Sequence, residues 1–129
     1  PDMLPFPKQI QLCSDSAKFA MARLTATSGP SMADTETTIA ELKARIARTV
    51  DYVKSVDPAL FEGAADREIV LKFPSVEMSF KGSDYVNQFV LPNFFFHVSI
   101  AYALLRQRDV KIGKSDFLPI DPSNVKFTG

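Results

Sequence analysis

The chain contains no tryptophan, one cysteine and one histidine in 129 residues. Since Cys13 has no second cysteine to pair with, an internal disulfide is excluded, and the lack of a Cys/His cluster excludes a structural zinc site. This cysteine usage is typical of a reducing compartment, so we predict a cytoplasmic protein. Cys13 itself falls among apolar helix positions, where a thiol is usually an inert core side chain.

Net charge is also absent, because 15 acidic residues balance 15 basic residues. A neutral chain has no net electrostatic attraction for phosphate backbones or anionic lipids, which argues against nucleic acid and membrane partners. The longest apolar run, from Phe89 to Leu105, carries Pro92, Asn93 and His97 and is too polar at its centre for a membrane span. Phosphate-binding glycine loops and serine elbows are missing as well.

Apolar residues, by contrast, make up 46% of the chain and include 11 phenylalanines, which is enough for one domain over residues 1–129. The first helix is predicted from about Lys8 to Thr25, and the second from about Thr35 to Val56 with Asp34 as its N-cap. Their core stripes are Ile10, Cys13, Ala17, Ala20, Met21 and Leu24 in the first helix, and Ile39, Leu42, Ile46, Val50 and Val53 in the second. On the other face of the second helix, we interpret Glu41 and Arg45 as a solvated ion pair.

Alternating apolar residues on either side of Pro74 and Ser75 predict two short strands in a hairpin. Its apolar side must lie on the helices, because an isolated two-stranded ribbon is only marginally stable. A third, buried helix is predicted from Ser83 to Arg108, with Ser83 as its N-cap and a kink at Pro92. Beyond it, Phe117 and Leu118 are expected to pin the C-terminal tail to the bundle.

The third helix carries the candidate site. Asn93 and His97 lie four residues apart, so they share one helical face beside the expected kink. This arrangement predicts a small polar pocket for a small-molecule ligand, and the alternative is a core histidine hydrogen-bonded within the protein. On the first helix, Asp15 shares a face with Gln11 and could serve a proton relay, although a surface ion pair with Lys18 is the simpler interpretation.

Three segments, PDMLPFPKQIQLCSDSAKFAMARL, DYVNQFVLPNFFFHVSIAYALLR and IGKSDFL, resemble an uncharacterised branch of the DinB-like superfamily. Its members are helical bundle proteins related in fold to YfiT and to mycothiol-dependent maleylpyruvate isomerase. The resemblance extends from Pro1 to about Leu118 and implies a mainly α fold, a DinB-like four-helix bundle with a small β-hairpin before the last helix. Only three long helices are predicted here, so the resemblance implies that the first helix precedes Pro1 and that the domain is N-terminally incomplete.

The resemblance also implies a metal site, in which one histidine on an earlier helix and an HxxxH pair on the last helix bind a divalent ion. The pair falls on Asn93 and His97, and the earlier histidine falls on Gln11 or, in a shifted register, on Gln9. Only His97 is a good ligand, because amides bind first-row metals poorly. We therefore predict a degenerate site in which zinc or nickel would bind weakly, with no certain cofactor.

These observations favour a DinB-like protein with a small-molecule pocket around His97, lined by Asn93, Gln11, Gln9 and Asp15. A metal-dependent or thiol-cofactor-dependent transferase or isomerase is the alternative, and a structural dimerisation module is a second one. Two helices and a hairpin cannot cover a third helix that is apolar on nearly every side. We therefore predict a homodimer, or a helix preceding Pro1, that covers the remaining side.

Overall fold

A computed structural model of the chain describes residues 2–126. Its main elements are α1 (Phe6–Leu24), α2 (Ile39–Ser55), β1 (Glu68–Phe73), β2 (Val76–Lys81) and a long helix, Gly82–Gln107. Short helical segments follow α2 and the long helix: 3-10 turns at Pro58–Phe61 and Pro122–Asn124, and α5 at Lys114–Phe117. The predicted architecture, mainly α with a hairpin before the last long helix, is confirmed.

Helix α2 begins later than predicted, at Ile39, and its N-cap is Thr38 rather than Asp34. The Thr38 hydroxyl accepts a hydrogen bond from the Glu41 backbone N–H at 3.2 Å, and the Glu41 carboxylate accepts one from the Thr38 backbone N–H at 2.8 Å. Hydrogen bonds from the backbone N–H groups of Thr37, at 2.8 Å, and of Thr38 lower the pKa of the Glu41 carboxyl group to about 2. The predicted Glu41–Arg45 pair is therefore wrong, because Glu41 closes a capping box and Arg45 is fully buried elsewhere.

The hairpin places its apolar side against the helices, as predicted. Ile69 pairs with Phe80 and Leu71 pairs with Met78 across the two antiparallel strands. Ile69 and Leu71 are buried in one cluster with residues from α1 and from the start of the long helix, namely Ala20, Leu24, Tyr85 and Val90. This cluster fixes the position of the long helix relative to α1.

The long helix begins at Gly82 with Lys81 as its N-cap, so the predicted N-cap at Ser83 is wrong. It consists of α3 (Gly82–Asp84), a π-helical segment (Tyr85–Val90) and α4 (Leu91–Gln107). The backbone N–H of Leu91 bonds to the Val86 carbonyl, five residues back. Pro92 has no N–H to donate, and the π-helical segment ends two residues before it, at Val90.

Helix α1 packs against both α2 and α4, whereas α2 and α4 make few contacts with each other. An open groove of about 420 Å³ lies between the three helices, and its lining is almost entirely apolar. The groove is lined by residues of the predicted core stripes, including Ile10, Cys13 and Ala17 of α1 and Val50 and Val53 of α2, together with Phe94 and Val98 of α4. These side chains therefore line a surface groove instead of a closed core.

The long helix is not buried as predicted. Phe96 is 60% exposed, Phe95 48% and Leu91 45%. By length and composition the helix could also cross a membrane, and 17% of its most apolar window is buried. Near the end of α4, Tyr102 packs edge-on against Phe117 with ring centroids 5.8 Å apart, so the predicted docking of the tail is confirmed at Phe117.

Candidate functional site

His97 and Gln9 form the centre of the candidate site. His97 comes from α4 and Gln9 from the first turn of α1, and both side chains are buried. The His97 Nδ1 atom lies 2.8 Å from the Gln9 Oε1 atom. Of the two positions that the sequence left open for a partner on α1, the structure places Gln9, and not Gln11, beside His97.

The Gln9 amide has a second hydrogen bond, because its Nε2 group donates to the Leu4 carbonyl at 3.0 Å. Leu4 belongs to the extended segment that precedes α1. The Pro5 and Pro7 rings favour this extended entry and a helix start at Phe6. The proline-rich start of the chain thus supplies the carbonyl that orients the Gln9 side chain.

Asn93 lies at a different level of the same helix interface. Its Nδ2 group is 3.4 Å from the Ser16 hydroxyl, and this hydroxyl is also 3.5 Å from the Val90 carbonyl at the end of the π-helical segment. Ser16 and Gln9 are about two helical turns apart on α1. Asn93 and His97 therefore face α1 together but contact separate residues of it. We name Gln9, Ser16, Asn93 and His97 the His97 site.

Burial lowers the pKa of His97 below its ordinary value, since the apolar surroundings disfavour the charged imidazolium. The ring is therefore neutral at pH 7. A neutral imidazole carries one N–H donor and one lone pair, and it can accept a proton, accept a hydrogen bond or bind a metal.

Gln11 and Asp15 belong to a second cluster, on the side of α1 that faces α2. Gln11 donates to the Glu36 carboxylate at 3.0 Å. Asp15 forms an ion pair with Lys18 at 2.9 Å, as the simpler interpretation of the sequence expected, and a second ion pair with Arg45 at 3.0 Å. The structure therefore separates Gln11 and Asp15 from the His97 site.

Arg45 is the centre of this second cluster, which the sequence reasoning missed. Its side chain is 0% exposed, and besides Asp15 it pairs with Asp34 at 3.1 Å and with Glu36 at 3.2 Å. Lys8 forms a further ion pair with Asp34. The cluster joins α1, α2 and the loop between them, and we name it the Arg45 cluster.

The two loop carboxylates of the cluster are held in their ionised form. The pKa of Asp34 is lowered, chiefly by its hydrogen bond from Lys8 and also by the charge of Arg45. Burial acts to raise the pKa of Glu36, but hydrogen bonds from the backbone, Arg45 and Gln11 outweigh burial and lower it. The cluster is thus a set of ion pairs that ties the loop down at neutral pH.

One sequence signal could have revealed the Arg45 cluster. Arg45 lies three residues after Leu42 and four before Thr49, and these three are the buried positions of α2. A basic residue on this line, preceded by two acidic residues in the loop, indicates an internal ion pair. The apolar stripe of Ile46, Val50 and Val53 lies on a neighbouring side of α2, and its pattern predicts that side, rather than the side with Arg45, as the buried one.

The His97 site does not suit a metal ion. Over residues 2–126, no group of three or more His, Cys, Asp or Glu side chains is placed to hold one. The hydrogen-bond partner of the His97 ring is an amide oxygen, and Cys13 has a pKa raised to about 11 by burial, so its thiol stays protonated. One imidazole with amides is a poor donor set for zinc or nickel.

Known proteins share the architecture and part of the sequence of this chain. Residues 1–118 match the model of a protein family described as a domain of unknown function, DUF1993. The crystal structure of a DinB family member protein from Shewanella denitrificans is similar, with 33% sequence identity and a TM-score of 0.84. The match covers 97% of this chain and 71% of that one. No curated protein matches this chain. The chain therefore belongs to the DUF1993 family, an uncharacterised group with the DinB-like fold.

Proposed function

We propose that this protein binds a small molecule at the His97 site and that the metal site of its DinB-like relatives has degenerated into this polar contact. The observation that carries the proposal is the buried His97 ring, whose Nδ1 atom bonds to Gln9, while none of the described residues, 2–126, forms a hydrogen bond with its Nε2 atom. An imidazole nitrogen that no protein group occupies is available to a ligand that forms a hydrogen bond with it.

Solvent contact at Nε2 supports the same proposal. Within residues 2–126, the fully buried side-chain nitrogen and oxygen atoms that lack a partner are Arg45 Nε and the Tyr52 hydroxyl. His97 Nε2 is not among them, although the residue as a whole is only 9% exposed. A group the size of a water molecule can therefore contact Nε2 in this conformation of the ring.

The experiment uses the fact that His97 is the single histidine, so its ring resonances in an NMR spectrum need no assignment. We expect small polar fragments to shift these resonances in a saturable way. The matched variant is Gln11→Leu, which alters a buried glutamine of α1 that bonds to Glu36 and lies outside the His97 site, and it should still show the shift. Fragments that bind the protein without moving the His97 resonances would contradict the proposal.

The proposal includes weak metal binding. Because His97 is the single histidine of the chain and its ring bonds to an amide oxygen, zinc or nickel should be lost on dialysis against a chelator. Elemental analysis of the dialysed protein measures this. Stoichiometric metal that survives dialysis would contradict the degenerate site and would favour a metal-dependent transferase or isomerase instead.

A role in assembly is a second candidate, and the open groove between α1, α2 and α4 favours it. Several large apolar side chains are exposed there or on the nearby outer face of the long helix. Apolar surface of this extent usually marks a contact with another chain or another segment. We propose that the protein forms a homodimer through this apolar surface. We also propose that it is located in the cytoplasm.

A further inference from the structure

The Gln9 side chain has both ends of its amide occupied by the protein, which bears on what it does at the His97 site. Its Nε2 group donates to the Leu4 carbonyl at 3.0 Å. An amide nitrogen with two hydrogens can only donate, so the Oε1 atom is the end that faces His97. Gln9 is 2% exposed, and the Leu4 carbonyl accepts from one of the two N–H groups of its amide.

The hydrogen bond between Gln9 and His97 determines which nitrogen of the imidazole ring carries the proton. An amide oxygen can only accept, so the bond of 2.8 Å between Gln9 Oε1 and His97 Nδ1 requires the proton to be on Nδ1. In the neutral ring the other nitrogen, Nε2, then carries the lone pair. Free histidine in water prefers the opposite form, with the proton on Nε2, so the protein imposes this state on the ring.

We infer that Gln9 is a positioning residue that holds His97 in the Nδ1–H tautomer, so that Nε2 accepts a hydrogen bond from a ligand that carries an O–H or N–H donor. The relay runs from the Leu4 carbonyl through the Gln9 amide to the His97 ring. The ligand class rests on the proposed function, whereas the tautomer does not depend on it.

The tautomer is tested by long-range proton–nitrogen NMR correlations of the single histidine, which distinguish a protonated ring nitrogen from an unprotonated one. In the unchanged protein at neutral pH, we expect the protonated nitrogen to be Nδ1. In Gln9→Leu, which removes the acceptor, the ring should revert to the Nε2–H form. In Gln9→Glu, which keeps an acceptor oxygen, Nδ1–H should be retained.

Gln11→Leu is the matched control, because Gln11 lies on the same helix, is 5% exposed and bonds to Glu36 instead of His97. It should leave the His97 tautomer unchanged. An Nε2–H ring in the unchanged protein would overturn the inference, and so would an Nδ1–H ring that persists in Gln9→Leu. If Gln9→Leu does not fold, Gln9→Glu still tests the inference. Loss of the Nδ1–H form in Gln9→Glu would contradict the role of the acceptor oxygen.

The ligand class is tested with two probes of similar size, phenol and its methyl ether, anisole. Phenol has an O–H donor and should shift the Nε2 resonance upfield in a saturable way, whereas anisole, which has no donor, should shift it far less. An equal response to both probes would overturn the donor class while leaving the binding site in place. No saturable response to either probe would count against the proposed function and the ligand class together, with the tautomer result standing separately.

Discussion

Arg45 has the least typical environment of any charged residue in the part of the chain that is described. Its guanidinium is fully buried and is neutralised by Asp15, Asp34 and Glu36, two of which come from the loop between α1 and α2. Burying an arginine is favourable only when its charge is paired, and the three carboxylates pair the Arg45 charge although its Nε–H has no partner among the described residues. The cluster therefore ties the loop, α1 and α2 to one another.

Replacing Arg45 should be costly, because the carboxylates that it neutralises would remain without a partner. We expect Arg45→Met to lower the free energy of unfolding by about 3 kcal/mol, the lower end for a broken buried pair since Asp15 and Asp34 keep some solvent contact. Arg48→Met is the matched control. Arg48 is 61% exposed and lies 3.7 Å from Glu36, so its loss should cost less than about 0.5 kcal/mol. Urea unfolding measures both, and equal losses would contradict the role of the Arg45 cluster.

His97 should make stability depend on pH. Burial lowers its pKa in the folded protein below 6.5, so the unfolded chain binds a proton that the folded chain does not. The free energy of unfolding should therefore be fully retained above pH 6.5, fall as the pH drops below it, and level off below the folded pKa. The lowered pKa values of Asp34 and Glu36 act in a more acidic range, because both start below 5.

Thermal unfolding between about pH 5 and pH 7.5 measures this effect. The control is His97→Gln, which removes the titrating ring from the chain's single histidine position. Its stability should vary less over the same interval than that of the unchanged protein. An identical pH dependence in both proteins would show that the His97 ring is not held neutral by burial.

At the scale of elements, Gly82 fixes the junction between β2 and the long helix. A Cβ atom at this position would overlap the Ala64 carbonyl oxygen, which is a backbone atom and cannot rotate away. The neighbouring Ser83 N–H bonds to the Ala65 carbonyl at 2.9 Å and holds the same two segments together. The close approach therefore requires glycine.

Gly82→Ala should consequently lower the free energy of unfolding by about 1–3 kcal/mol, the usual cost of overpacking a buried site. Gly113→Ala is the control, because the nearest atom to a Cβ there is 3.9 Å away and Gly113 has a negative φ of −140°. Its effect should stay within about 0.5 kcal/mol. Denaturant unfolding compares the two, and a Gly82→Ala protein as stable as Gly113→Ala would show that the junction can relax.

Elements with a strong local signal are the ones that the sequence predicts well. The hairpin follows from apolar alternation around Pro74 and Ser75, and its register pairs Phe73 with Val76 as that alternation requires. The N-cap predicted for α2 is wrong because several Thr and Asp residues precede this helix, and tertiary contacts select among them. Asp34 is drawn away from the start of α2 by Lys8 and Arg45, which leaves Thr38 to cap the helix.

The candidate site is only partly predictable at the scale of the whole molecule. The spacing of Asn93 and His97 predicts that both face one side of the long helix, and this is what the helix geometry requires. The choice of Gln9 over Gln11 depends on how α1 is rotated about its axis. That rotation is set by the Arg45 cluster, which binds Gln11 and Asp15 on the opposite side, and no local pattern in α1 encodes it.

The rotation of the helices also determines what is left uncovered. Buried positions on α1 are largely polar, with Gln9, Gln11, Ser14 and Lys18 among them, while Ile10, Cys13 and Ala17 line the open groove. Helix α2 shows the same arrangement, since Arg45 and Thr49 are buried while Ile46 and Val50 are 44% and 42% exposed. Apolar stripes from three helices thus converge on a groove that no described residue fills, which indicates a missing apolar contact.

We therefore expect this groove to be covered in solution by a second copy of the chain or by a helix from outside these 129 residues. Light scattering on the 129-residue chain should give a mass above the 14.3 kDa of one copy. Val50→Glu, which places a charge in the groove, should reduce this mass, because a carboxylate buried in an apolar contact is unfavourable. Val70→Glu is the matched control, since Val70 is similarly exposed at 41% but lies on β1, outside the groove, and the mass should not change. A stable monomer of the unchanged chain would contradict the expected dimer. If adding a further helix to this monomer also failed to raise its stability, the inference that the groove lacks an apolar contact would be wrong.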